Sequence, residues 1–184
     1  MKYILVVLAV LFSVQLEARP AQIFIIRHAE KVEDGEILSL KGFERAAALA
    51  PFFMGTPEFT KHGPPVAIYA MKPTDHDFSV RPVQTVSVLS SALKLGINDS
   101  YSRNKFPDMA TQILSDPKYD GKTVLISWEH KNIPGIATAL GAKDVPPKWN
   151  GEEFDRVWVL TYQDDGSVKF ENVPQRLMFG DSEN

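Results

Sequence analysis

The apolar run Ile23-Phe24-Ile25-Ile26 stops at a charged pair, Arg27-His28. Such a run reads as a strand buried on both faces that ends at the rim of a site. Open parallel α/β sheets bind their ligands at the carboxyl ends of their strands. An Arg at that rim offers a forked donor matched to phosphate oxygens. A His there is a nucleophile or an acid/base near neutral pH.

The rest of the chain repeats the pattern. After a polar loop at 33–36, Ser39 caps a helix that runs to about Phe53 with Leu40, Phe43, Ala47, Leu49 and Ala50 on its apolar side. A second strand is expected at 66–70, a polar loop at 71–79, and a helix at 80–95 with Pro82 in its first turn. A looser stretch follows, with a short helix near 108–115. The third strand is expected at 123–127, and a helix opens at Pro134 and ends at Leu140-Gly141. Residues 157–162 and 168–173 form an edge hairpin around Asp164-Asp165-Gly166. The tail 180–184 is expected to fray. Strands alternating with helices predict an α/β fold with a mainly parallel sheet.

The chain has 184 residues, 44% of them hydrophobic and 23% charged, which fits one globular domain. A net charge of -3 gives no footprint for nucleic acid, so an anion site must be a local cluster of cations. Lys2, an apolar stretch at 3–14 and the small residue Ala18 follow the order of a secretory signal. The expectation is a signal at 1–18, a single catalytic domain at 19–184, and a periplasmic or secreted location. The apolar stretch is shorter than the ~20 residues of a spanning helix, so no stable membrane insertion is expected after cleavage. The chain has no cysteine, which excludes disulfides and a lipidated cysteine anchor.

Three strand ends carry the chemistry. Strand one ends at Arg27-His28, strand two leads toward Arg81, and strand three ends at Glu129-His130. On one rim of a parallel sheet these residues converge on a phosphoryl group. The starts of the helices at 80–81 and 132–134 add backbone donors. In this reading neutral His28 attacks phosphorus. Arg27, Arg81 and protonated His130 hold the equatorial oxygens, and a carboxylic acid protonates the leaving oxygen. Glu129 is the first candidate for that acid because it abuts His130, with Glu30, Asp75 and Asp77 as rivals.

Arg27-His28-Ala29-Glu30 resembles the Arg-His-x-Glu form of the signature of the histidine phosphatase superfamily, which includes the cofactor-dependent phosphoglycerate mutases and the acid phosphatases. The likeness continues through the segment 38–46. Ser79-Val80-Arg81-Pro82-Val83-Gln84-Thr85 resembles the motif with the second phosphate-binding Arg, and the segment 124–130 resembles the one with the second catalytic His. The resemblance spans about 22–160. It implies a three-layer α/β sandwich of the phosphoglycerate mutase type, with His28 as nucleophile and Arg27, Arg81 and His130 as the phosphate pocket. It implies no metal and no cofactor. One branch of the superfamily has an Asp directly after the second His, where this chain has Lys131.

The expected function is hydrolysis of phosphorylated small molecules through a phosphohistidine. The alternatives are a phosphotransferase or mutase, and a module that binds phosphate without turnover. A metal site from His28, Glu30, His76 and His130 is disfavoured because Arg27 and Arg81 repel a cation. Trp128, Trp149, Phe154 and Trp158 read as packing residues, and His62, His76 and Glu152-Glu153 as exposed surface.

Overall fold

The computed structural model describes residues 19–183. The expected signal at 1–18 lies outside the described residues. Along the chain run β1 (Gln22–Arg27), α1 (Leu40–Gly55), the short α2 (Pro57–Thr60), β2 (Ala67–Ala70), α3 (Arg81–Leu93) and β3 (Ile97–Asn98). Then come α4 (Phe106–Ser115), β4 (Thr123–Trp128), α5 (Ile133–Ala139), β5 (Arg156–Tyr162) and β6 (Val168–Pro174). The sheet order is β3-β2-β4-β1-β5-β6. β3, β2, β4 and β1 are parallel neighbours, while β5 is antiparallel to both β1 and β6. The expected mainly parallel sheet is therefore present, with the β5–β6 hairpin closing one side.

Alternation along the central strands builds the two outer layers. Ile23 and Ile25 of β1 join a core with Met109 and Ile113 of α4 and Ile133 and Ile136 of α5. Phe24 and Ile26 point the other way, toward Leu49 and Phe53 of α1 and Val86 and Leu89 of α3. Every residue of β1 and β4 is buried, as strands covered on both faces must be. The result is the three-layer sandwich that the resemblance implied.

Register puts the strand ends level. Arg27 pairs with Trp128, and Ala70 pairs with Ser127. The backbone N–H of His28 then donates to Trp128 at 3.0 Å and that of Met71 to Ser127 at 3.1 Å. His28, Met71 and Glu129 therefore leave the sheet together, with the start of α3 beside them.

Two connections hold this rim to α1. Ser39 caps the helix by accepting from Gly42 N–H at 3.2 Å, while its own N–H donates to the Glu30 carbonyl at 2.9 Å. Gly42 passes so close to that carbonyl that a Cβ would sit 2.2 Å from the Glu30 oxygen. Only glycine fits without moving backbone. Gly42→Ala is expected to cost about 1–3 kcal/mol, read as a lower urea midpoint at unchanged slope.

The structure departs from the sequence expectations in two places. Residues 97–98, expected to be irregular, pair in parallel with β2 as an edge strand. The tail is docked through residue 182. The Asp181 side chain is only 4% exposed and meets Arg45 at 2.6 Å, and Ser182 N–H donates to Asp155 at 2.6 Å. A polar terminus looks free in sequence, but here it carries the counter-charge of a buried guanidinium.

Candidate active site

A cleft of about 360 Å³ opens at the carboxyl ends of the parallel strands. Arg27, His28, Arg81, Glu129 and His130 all line it, together with Asp77. Segments up to about 100 residues apart thus contribute to one surface.

His28 is 3% exposed, and its Nδ1 lies 2.7 Å from the Ala29 carbonyl. A carbonyl only accepts, so Nδ1 carries the proton and Nε2 keeps its lone pair. Burial pushes the His28 pKa down to about 3, with Arg81, Arg27 and His130 lowering it further against the Ala29 bond. The imidazole is therefore neutral through the physiological range. Unfolded His titrates near 6.5, so acid favours the unfolded chain between about pH 6.5 and 3. Stability is present above that window and is lost as pH falls through it, at up to about 1.4 kcal/mol per pH unit for one such group. His28→Gln should flatten the loss of urea stability between pH 7 and pH 4.

Arg27 is 4% exposed and held from one side. Its Nη1 donates to the carbonyls of Gly151 and, at 3.1 Å, Glu153. Its guanidinium carbon stands 3.8 Å over the centre of the Phe154 ring. Burial lowers its pKa to about 10, so it stays charged. Its Nε is buried without a partner, as is Nδ1 of His130. Expected solvent at 152–153 is thus only half right. The Glu152 side chain is exposed, but the backbone of 151–153 forms the clamp that fixes Arg27.

Arg81 enters from the first turn of α3. Its Nε donates to Ser79 Oγ at 2.8 Å and its Nη2 to Glu36 at 3.2 Å. The neighbouring motif residues are bolts. Thr85 Oγ1 accepts from Ala29 N–H at 2.9 Å, and Gln84 accepts from Leu38 N–H at 2.9 Å. They fix α3 to the loop that carries His28.

His130 sits beside Glu129, with Nδ1 3.9 Å from Oε2. Its pKa is lowered by burial, then by Arg27, while Glu129 pulls it the other way. Glu129 is heavily occupied. Its Oε1 accepts from Arg103 Nε at 3.0 Å and Nη2 at 2.9 Å, and its Oε2 from Lys131 N–H at 3.3 Å. Arg103 also lies 3.5 Å from Asp77. Sequence reading missed Arg103 because it stands in an irregular segment with no motif around it.

The rivals for the acid now separate. Glu30 turns away to Arg45, at 3.0 and 2.8 Å, and to Lys41 at 3.6 Å. Those cations hold its carboxyl below the usual range against the effect of burial. It orients Arg45. Asp75 does not line the cleft, whereas Asp77 does, beside His76. Among the described residues no group of three or more His, Asp or Glu side chains is arranged to hold a metal ion.

No protein-family model and no curated protein sequence matches the chain. Solved structures do. The protein histidine phosphatase SixA complexed with tungstate superposes with a TM-score of 0.60 at 14% identity, over 84% of this chain and 97% of that one. A mycobacterial glucosyl-3-phosphoglycerate phosphatase gives 0.55 at 15% identity, covering 84% and 97%. Phosphoglycerate mutase from Plasmodium falciparum gives 0.52 at 14% identity, covering 82% and 87%. With its own sheet order and layers, these likenesses establish that the chain has the α/β fold of the phosphoglycerate mutase-like proteins.

Proposed function

We propose that this protein is a metal-independent phosphomonoesterase of the histidine phosphatase superfamily, working through a phosphohistidine on His28. The observation that carries the reading is the meeting of a buried neutral His28, its Nδ1 held by the Ala29 carbonyl, with Arg27 and Arg81 in the lining of one cleft. The names of the similar structures, two phosphatases and a mutase, agree with it.

In this mechanism the His28 lone pair forms the N–P bond as the ester P–O bond breaks. Arg27 and Arg81 hold the equatorial oxygens through transfer. A bound phosphate dianion raises the His130 pKa, so that the ring becomes a second donor to the phosphoryl group. Glu129 is filled by Arg103 and Lys131 and stands beside His130, where its charge favours the protonated ring. Asp77 has the freer carboxyl and protonates the leaving oxygen, then takes a proton from the water that cleaves the N–P bond. This assigns the acid to Asp77 in place of Glu129, the first candidate from sequence.

The test is hydrolysis of phenyl phosphate by the purified protein with chelator present. Phosphate binding without turnover would leave a binding module instead. Asp77→Asn is expected to slow an alkyl phosphate by about 10²-fold, and an activated aryl phosphate much less, because a good leaving group needs no proton. Glu129→Gln should slow both alike. The reverse pattern would return the acid role to Glu129. We further propose that the domain acts outside the cytoplasm, on the strength of Lys2, the apolar stretch at 3–14 and Ala18. Gel mobility of the expressed full chain, with and without export, would test this.

A further inference from the structure

Five cationic side chains line the cleft, Arg27, Lys31, Arg81, Arg103 and Lys131, against the three carboxylates Glu36, Asp77 and Glu129. Each carboxylate is already matched. Glu36 lies 3.2 Å from Arg81, and Asp77 and Glu129 lie 3.5 and 2.9 Å from Arg103. Arg27 is set on backbone carbonyls and keeps its charge for the phosphoryl group. Lys31 and Lys131 remain. Both are exposed, and among the described residues neither ammonium has an ion-pair partner. Lys131 uses only its backbone N–H, toward Glu129.

Depth separates these two from the rest. Arg27 and His28 are buried at the base, while Lys31 and Lys131 stand in solvent at the mouth. They come from different walls, the loop after β1 and the loop after β4. The lining as a whole carries a net charge of about +2, which a phosphate dianion would balance. Lys31 and Lys131 are the cations of the lining that, among the described residues, face no carboxylate, and they stand at the mouth. Unpaired cations at an entrance raise the local concentration of anionic groups beside them.

We propose that Lys31 and Lys131 form a second anion subsite, and that the substrate is a phosphomonoester whose leaving group carries another anionic group, a carboxylate or a second phosphate. The substrate class rests on the phosphomonoesterase reading of the cleft; the subsite itself can be tested without turnover. In a nearby groove, Lys72 faces Thr74, Ser100 and Tyr101, and it serves as a cationic control outside the cleft.

The experiment compares phenyl phosphate with its para-carboxy and para-phosphono derivatives, by turnover and by calorimetry. Wild type is expected to favour the charged derivatives by about tenfold in kcat/KM, less at high salt. The Lys31→Gln, Lys131→Gln double variant should lose that preference, and Lys72→Gln should keep it. Greater preference for the carboxy or the phosphono compound identifies the anion. No preference in wild type, or one that survives the double variant, overturns the proposal. If no ester is hydrolysed, the phosphomonoesterase reading fails on its own. Calorimetry then decides the subsite: tighter binding of the para-phosphono compound, lost in the double variant, supports it, and equal binding overturns it.

Discussion

His28→Ala is expected to lower kcat on an aryl phosphate by on the order of a thousandfold or more, while phosphate still binds. The two effects separate because different groups carry them. In the proposed mechanism binding depends on Arg27 and on Arg81 at the start of α3. Bond formation in that mechanism depends on the Nε2 lone pair alone, since the Ala29 carbonyl takes Nδ1. Wild-type protein quenched during turnover of labelled phosphate ester should carry acid-labile, base-stable label, and His28→Ala should carry none. The low pKa of His28, about 3, adds a second signature. Turnover should show no loss from nucleophile protonation between pH 8 and 5, since the ring stays neutral there. Near-full activity in His28→Ala, or label that stays on it, would remove the phosphohistidine.

Much of this site was legible because its residues sit where local patterns change. The apolar runs at 23–26 and 124–126 have one physical reading as buried strands, and each is followed by charge that a buried strand cannot hold mid-sheet, at Arg27 directly and at Glu129 three positions on. Ser39 was legible as a cap, and the 2.2 Å approach to Glu30 gives the reason for the glycine at 42. The rest was not legible because its contacts are long in sequence and made by backbone. Arg27 is fixed by the carbonyl of Gly151, 124 positions away, and carbonyls leave no mark in residue type. Arg103 matters through two carboxylates on separate loops, which only the fold brings together. Glu30, a rival for the acid in sequence, is held by Arg45 of the next helix, a contact that residue type alone does not show.

Arg45 carries the largest expected effect on stability. Its side chain is 2% exposed at the inner face of α1 and meets three partners. Glu30 takes its Nε and Nη2 at 3.0 and 2.8 Å, Gln175 its Nη1 at 3.0 Å, and Asp181 both Nη atoms at 2.8 and 2.6 Å. Those bonds raise its pKa above the ordinary value although burial opposes them. Asp181 in turn accepts from Leu177 and Met178 N–H at 2.9 and 3.0 Å, so one guanidinium ties the tail to the loop behind His28. Arg45→Leu removes the cation and leaves two carboxylates in poor solvent. The expected cost is about 3–5 kcal/mol, a fall in Tm of roughly 10 °C, measured by thermal unfolding. Most of that cost belongs to the orphaned charges. Adding Glu30→Gln and Asp181→Asn to Arg45→Leu should therefore recover part of the stability. Deleting 180–184 should destabilise as well, because it takes Asp181 from Arg45 and Ser182 from Asp155. If Arg45→Leu unfolds like the wild type, the network is decoration, and the tail is as free as its sequence suggests.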